Sequence, residues 1–148
     1  MCIKFIEKSD SEEIEVLYHK KDRDVIMQFK VMLGNFFNRI NVQDEQKRIC
    51  VLSVMNIYYF ESVDGKCYVY TKDTTFLAFQ SYRQLQDRLK GYGFLQCSKT
   101  MSMNVIHLWK CEVYSDCRRI VTLDNNERLI VSRAFKKGFD AYLRSRNF

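Results

Sequence analysis

The sequence predicts a mainly β protein with short helices, preceded by a small α+β module. From Lys47 onward, Val, Ile, Tyr and Phe recur in short runs separated by turn residues, a pattern that is typical of β-strands. Before Lys47, apolar residues recur at helical spacing over residues 22–37 and alternate with polar residues in two shorter stretches. We therefore divide the chain into a module at 1–46 and a strand-rich part at 47–148.

The composition is that of a compact, soluble protein. The chain has 148 residues, 47% of them hydrophobic, with no proline and five glycines, so no linker or low-complexity segment is evident. The amino terminus turns charged by Lys4, and no later window reaches the length of a membrane span. We expect a cytoplasmic protein.

The first part predicts two strands and one helix. The stretches "CIKFIEK" and "EIEVLYHK" alternate and flank the polar loop "SDSEE", which is typical of two short strands. The helix begins near Asp22, and its apolar positions are Val25, Ile26, Phe29, Met32, Leu33 and Phe36.

The second part predicts a series of strands interrupted by one helix and closed by another. The strands are "RICVLSV", "IYYFESV", "KCYVYTK", "TTFLAF" and "VIHLWKCEVY". In the helix "SYRQLQDRLKG", Ser81 can cap the start, Leu85 and Leu89 share a face, and Gly91 can end it. In the hairpin "RRIVTLDNNERLIVS", Asn125 and Asn126 can adopt the positive φ angles of a tight turn. The last helix is "RAFKKGFDAYL".

Charge is unevenly distributed along the chain. Residues 1–46 carry seven Lys and Arg against nine Asp and Glu, a net charge of −2. Residues 47–148 carry seventeen against nine, a net charge of +8. A basic second part is compatible with nucleic acid, anionic lipid or a solvated face, and charge alone does not choose between them.

Catalytic and metal-binding patterns are weak. The six cysteines form no C-x-x-C pair and do not stand at zinc-finger spacing from the two histidines, so we predict neither a metal site nor a cofactor. Cys97 or Cys111 with His107 is the one nucleophile and base combination to consider, but no orienting acid or oxyanion hole accompanies it. No glycine loop that could cradle phosphates is present. We predict that the chain is not an enzyme.

Three short motifs together resemble the LytTR family of bacterial DNA-binding domains. The first is Phe60-Glu61-Ser62 before a tight loop. The second runs from Gly93-Phe94 through Ser98-Lys99-Thr100 to Asn104 and Ile106, and the third is Val131-Ser132-Arg133 opening a helix with Lys136-Lys137. The resemblance covers roughly residues 47–146. It implies elongated antiparallel β-sheets whose loops, rather than a recognition helix, enter successive major grooves of DNA.

The resemblance also implies DNA contacts at particular residues. In the first loop the contact aligns with Cys67 or Lys66, and Lys66 is the better candidate because the family often has a polar or basic residue there. Lys99 takes the base-contacting position of the second loop, and Arg133 matches an arginine that can bind guanine through two hydrogen bonds. Asn104 is expected to bond backbone groups instead. The predicted DNA-binding residues are Lys66, Cys67, Ser98, Lys99, Thr100, Arg133, Lys136 and Lys137.

These features predict a free-standing, sequence-specific transcriptional regulator of double-stranded DNA without a receiver domain. The resemblance implies paired DNA repeats, so we expect a homodimer, with residues 1–46 as a dimerisation or regulatory module. It also offers a small membrane protein as a candidate inhibitor. The alternative is an adaptor or anti-regulator whose basic face binds an acidic protein. The hypothesis of a DNA-binding regulator requires Lys66, Lys99 and Arg133 to lie on one face. Scattered positions of these residues would favour the adaptor.

Overall fold

The computed structural model describes residues 9–10, 15–115 and 117–145. Within them the chain is mainly β with three α-helices, which confirms the predicted fold class. The helices are α1 (Arg23–Phe37), α2 (Tyr82–Leu89) and α3 (Arg133–Ser145). The strands are β1 (Arg39–Gln43), β2 (Ile49–Ser53), β3 (Tyr59–Val63), β4 (Lys66–Tyr70), β5 (Thr75–Ala78), β6 (Phe94–Ser98), β7 (Met101–Asn104), β8 (Leu108–Tyr114), β9 (Arg118–Leu123) and β10 (Arg128–Val131). No helix in this part of the chain is long and apolar enough to cross a membrane.

The strands form two antiparallel sheets. The larger sheet has seven strands in the order β2-β1-β5-β4-β3-β7-β6, and the smaller has three in the order β10-β9-β8. Neighbouring residues of a strand point to opposite faces, so Phe60 of β3 packs with Leu85 and Leu89 of α2, while Tyr59 packs towards the small sheet. The face of the large sheet that carries Tyr59 is covered by β9, β10 and α3, and Phe139 of α3 is buried there.

The amino-terminal part differs from its prediction. The stretch 2–8 lies outside the described residues. Of the second predicted strand, residues 15–20 contain only an isolated bridge at Leu17, and the chain then enters a 3-10 turn at Lys20–Asp22, so that prediction is wrong there. Leu17 and its neighbour Tyr18 are both exposed, so this segment does not bury one alternating face.

The strand that follows α1 is β1, which the sequence did not predict. Its Ile40 and Val42 are buried on alternating positions, and all five of its residues pair with β2. Because β1 lies before the predicted boundary at residue 46 and β2 lies after it, one hairpin spans that boundary.

Two local predictions are corrected in the second part. Residues 105–107, predicted as strand, form a 3-10 turn because the Asn104 side chain accepts a hydrogen bond from the Ile106 N–H and turns the chain. In the β9–β10 hairpin only Asn126 has a positive φ, of 69°, and its backbone N–H donates to the Leu123 carbonyl at 3.0 Å. This is a longer turn than the two-residue form predicted.

A buried amide pair ties α1 to the large sheet. The Asn104 Nδ2 donates to Asn35 Oδ1 at 2.7 Å and to the Ile57 carbonyl at 3.0 Å. The Asn35 Nδ2 donates in turn to the Tyr92 carbonyl at 2.8 Å. The prediction that Asn104 bonds backbone groups is confirmed, and α1 is part of the packed fold.

Candidate nucleic-acid interface

The turn between β3 and β4 presents Lys66. Asp64 and Gly65 have φ angles of 51° and 76°, and Val63 pairs directly with Lys66, so the two strands are joined by a tight two-residue turn. Lys66 is exposed as the first residue of β4. Its ammonium group is therefore displayed at the end of the sheet.

Cys67 is corrected as a contact residue. Strand alternation directs its side chain away from that of Lys66, and Cys67 is only 3% exposed within the core cluster of Phe60 and Leu85. Burial raises the pKa of the Cys67 thiol to about 11. A neutral side chain in the core cannot reach a base edge. Lys66 is therefore the candidate DNA contact of this turn.

The turn between β6 and β7 presents Lys99. Ser98 pairs with Met101, which leaves Lys99 and Thr100 at the tip of the turn, both exposed. The Thr100 N–H donates to Ser98 Oγ at 3.2 Å. Ser98 therefore shapes the turn.

A backbone hydrogen bond joins these two turns. The Ser62 N–H donates to the Thr100 carbonyl at 2.8 Å, just beyond the last pairing of β3 with β7. Ser62 itself pairs with Cys67, next to Lys66. The turns that carry Lys66 and Lys99 consequently lie at the same end of the large sheet.

The start of α3 reaches the same end through a β-bulge. Gln96 pairs with Ser102 and Ser98 with Met101, so Cys97 is the extra residue of β6. Its carbonyl accepts a hydrogen bond from the Ser132 N–H at 2.8 Å. This contact places the first residue of α3, Arg133, beside the β6–β7 turn.

We call this region the basic end, defined by the turns at residues 64–66 and 98–100 and the junction at 132–133. Arg133 is exposed on the first turn of α3, where the helix dipole disfavours a cation. The basic residues Lys66, Lys99 and Arg133, drawn from three separate elements, are thus brought together. The backbone hydrogen bonds join the segments that carry these residues, and their sharing of one DNA-binding face stays a prediction.

The lysine pair of α3 divides into two different roles. Lys136 is half-buried, and its Nζ lies 3.1 Å from Asp140 Oδ2. Arg119 holds the same carboxylate through two contacts of 3.1 Å. Burial would raise the pKa of Asp140, but the hydrogen bonds from Arg119 and Lys136 outweigh it and the net shift is downward. Lys137 is exposed, so of the pair it is the one displayed to solvent.

Arg118 is a basic residue at this end that sequence reasoning missed. Arg119 pairs with Val131, so one further step along β9 brings Arg118 level with Ser132. Its guanidinium lies 5.0 Å from the centre of the Tyr114 ring. The signal was the doubled arginine that opens the hairpin, which the sequence alone could not place next to Arg133.

Two of the three candidate catalytic residues, His107 and Cys97, are engaged or buried within the fold. Both ring nitrogens of His107 are engaged, Nε2 at 2.7 Å from the Met55 carbonyl and Nδ1 at 3.2 Å from Asp124 Oδ2, so an acidic neighbour is present after all. The ring stacks on Tyr58 at 3.8 Å. Cys97 is fully buried, and this burial raises its pKa to about 12. Within the described residues no cluster of His, Cys, Asp and Glu could hold a metal ion.

Comparison with known proteins shows which fold this chain shares. A solved LytTr DNA-binding domain, from a methyl-accepting/DNA response regulator of Bacillus cereus, is similar at a TM-score of 0.66 and 21% identity. The match covers 71% of this chain and 95% of that one, and shows a shared fold. A comparison with curated proteins finds no match.

The family follows from the sequence comparison. Residues 47–144 match the LytTr DNA-binding domain, which is about two thirds of the chain. The chain therefore belongs to the LytTr DNA-binding domain family, and it is a DNA-binding regulator.

Proposed function

We propose that the chain is a sequence-specific transcriptional regulator that reads double-stranded DNA with its basic end. The observation that carries this proposal is the convergence of Lys66, Lys99 and Arg133 through the Ser62–Thr100 and Ser132–Cys97 hydrogen bonds. Loops from different elements that meet at one end can enter neighbouring grooves of a duplex. The same convergence favours DNA over an acidic protein partner, for which scattered basic residues would suffice.

Each basic residue has a proposed role in this interface. Arg133 reads guanine, because its planar guanidinium can donate to both O6 and N7 in the major groove. Lys66 and Lys99 reach base edges from their turns, and Ser98 and Thr100 support Lys99 with hydroxyl groups that can bond a phosphate. Lys137 holds the DNA backbone without regard to sequence. Lys136, already bonded to Asp140, positions α3.

We further propose that two copies act together on paired repeats, with residues 1–46 as the regulatory or dimerisation part. Three side chains on α1 support a role in contact, since Met32, Phe36 and Phe37 are exposed to 63%, 57% and 71%. A small membrane protein is the candidate inhibitor at this segment.

Selection from a random duplex pool, followed by fluorescence anisotropy, tests the proposal. The full chain is expected to enrich a defined sequence and to bind it at least about a thousand-fold more tightly than a scrambled duplex. Enrichment of no sequence, together with equal weak binding to both duplexes, would contradict specific recognition and favour the adaptor function.

A further inference from the structure

The outer edge of the small sheet is an exposed strand with apolar side chains. β8 is the edge strand of the order β10-β9-β8, and within the described residues no strand pairs with its outer side. Trp109 is 63% exposed and Val113 is 79% exposed, the highest value among the large hydrophobic residues described. Monomeric proteins usually protect such edges, because an open edge offers unpaired backbone groups to another chain.

We propose that β8 pairs in antiparallel fashion with β8 of a second copy, about a two-fold axis at Cys111. Cys111 is the middle residue of the strand Leu108–Tyr114, so this register spans the strand. The irregularity in the pairing of β8 with β9, between Leu108 and Lys110, lies near one end of it. Two-fold symmetry is the commonest arrangement of protein dimers and requires one self-complementary surface. The result is a continuous sheet that crosses the two copies.

The charges of β8 select this register. With the axis at Cys111, Lys110 of each copy lies opposite Glu112 of the other, and opposite charges on directly paired residues stabilise a sheet. An axis at Lys110 would place two lysines opposite each other, and an axis at Glu112 two glutamates. Within one copy Lys110 Nζ lies 3.7 Å from Glu112 Oε2, and Arg128 Nη2 lies 4.0 Å from the same oxygen. Both side chains remain about half exposed, at 46% and 47%, so each can exchange this contact for its opposite-charge partner in the second copy.

The apolar residues agree with the same register. Trp109 of one copy lies opposite Val113 of the other, so the pairing covers the two most exposed side chains of the edge. Trp109 also borders a groove of about 610 Å³ between α1, β8 and α3, with Met32, Leu108 and Leu143 among its walls. The pairing therefore brings an apolar side chain of the second copy to an apolar groove of the first.

The pairing has a consequence for DNA. Val113 is opposite Arg119, and Arg119 is opposite Val131 next to Ser132, so the Tyr114 end of β8 lies at the basic end. A two-fold axis at Cys111 reverses the second strand, and the two basic ends then face opposite directions. The paired repeats would then lie on two separate stretches of duplex, one for each basic end, and residues 1–46 would serve regulation and not dimerisation. This consequence rests on the proposed function, whereas the pairing of β8 does not.

Sedimentation velocity of the full chain with charge-reversed variants tests the pairing. Lys110→Glu alone places glutamates opposite each other, and Glu112→Lys alone places lysines opposite each other, so each is expected to weaken self-association by about ten-fold or more. A mixture of the two variants restores both opposite-charge pairs and is expected to associate as the original chain does. Lys90→Glu and Glu45→Lys, which change the same charges at exposed sites elsewhere, are the matched controls and are expected to change nothing.

Three results would overturn the pairing: a chain that stays monomeric throughout the micromolar range, single variants that associate as well as the original, or a mixture that fails to recover. Self-association that survives both reversals would place the contact elsewhere, for example on α1. The DNA step is tested by asking whether the chain on an immobilised selected duplex captures a second, labelled duplex. Loss of capture in Glu112→Lys with binding to one duplex intact supports the inference. A chain that pairs through β8 but binds no duplex would keep the pairing and remove the proposed function.

Discussion

Among single residues, Arg133 has the most informative position. It opens α3, its Ser132 neighbour is fixed to the Cys97 carbonyl at 2.8 Å, and it is exposed. A cation on the first turn of a helix loses favourable interaction with the helix dipole. Its guanidinium can donate two hydrogen bonds to one base from this position, which is why we propose base recognition for Arg133.

Replacement of Arg133 by alanine tests this assignment. Arg133→Ala is expected to weaken binding to the selected duplex by about 10- to 100-fold, the loss of one bidentate guanine contact, and to affect a scrambled duplex much less. Fluorescence anisotropy on both duplexes measures the difference. Arg144→Ala removes the same charge from the far end of the same helix and is the control. Equal losses in the two variants would show that Arg133 contributes only charge.

Residue-level predictions from the sequence were good where the cause is local. Ser81 caps α2 as expected, with Gln84 completing a reciprocal pair of hydrogen bonds, because the residues that form a cap are adjacent in the chain. The placement of Cys67 could not be decided in the same way, since a shift of one residue along a strand reverses the face. Only the pairing of Ser62 with Cys67 determines which of the Lys66 and Cys67 side chains points to solvent.

At the scale of elements, α1 is joined to the LytTr domain by close packing. A Cβ atom at Gly34 would overlap the ring of Tyr92, and Asn35 bonds the Tyr92 carbonyl at 2.8 Å. The helix therefore approaches the segment between α2 and β6 at a distance that only glycine permits.

Two alanine substitutions test this docking of α1. Gly34→Ala is expected to lower the free energy of unfolding by about 1–3 kcal/mol, because the added methyl group must displace a packed ring. Gly138→Ala, in α3 with open space around it, is expected to be neutral or to stabilise by about 0.5–1 kcal/mol through helix propensity. Urea denaturation of both variants measures the contrast. A Gly34→Ala chain as stable as the original would mean that α1 is not packed on the domain.

The Arg119–Asp140–Lys136 cluster fixes α3 on the small sheet and gives a pH-dependent prediction. The pKa of Asp140 is lowered in the folded protein, so its contribution to stability is fully present above the unfolded carboxyl value of about 3.9 and is lost as pH falls through the lower folded value. Asp140→Asn is expected to cost about 1–2 kcal/mol at neutral pH. This cost should shrink below about pH 4 in urea denaturation across pH.

The control for that measurement is Asp87→Asn, which removes a carboxylate from the exposed side of α2 and is expected to change stability little. A cost of Asp140→Asn that stays constant through the acid range would contradict the ion-pair account of α3.

The elements themselves were largely predictable, and their exceptions have physical causes. The β2 to β5 strands, the three helices and the β9–β10 hairpin follow from periodicity and turn residues near in sequence. β1 was missed, although Ile40 and Val42 alternate, because its five residues follow the long helical pattern directly. The bulge at Cys97 depends on a bond to Ser132, far along the chain, which no local pattern reveals.

For the whole molecule, the central claim is that one end is the DNA-binding surface. The net charge of residues 47–148 is +8, but charge alone would attract DNA to any basic face. What distinguishes the basic end is that backbone hydrogen bonds between segments distant in sequence bring two turns and the junction before α3 together there. The basic residues could be predicted from the sequence through its resemblance to a family. That their turns lie close together could be learned only from the tertiary fold.

The most direct measurement is anisotropy on the selected duplex over a salt series with two charge-matched double variants. Lys66→Glu with Lys99→Glu reverses two lysines of the basic end. Lys72→Glu with Lys90→Glu reverses two exposed lysines away from it, in the β4–β5 turn and after α2. We predict that the first variant loses its preference for the selected duplex over a scrambled one at every salt concentration, while the second binds nearly as the original chain does. Equal losses in both variants would contradict the account, because binding would then follow net charge and not the basic end.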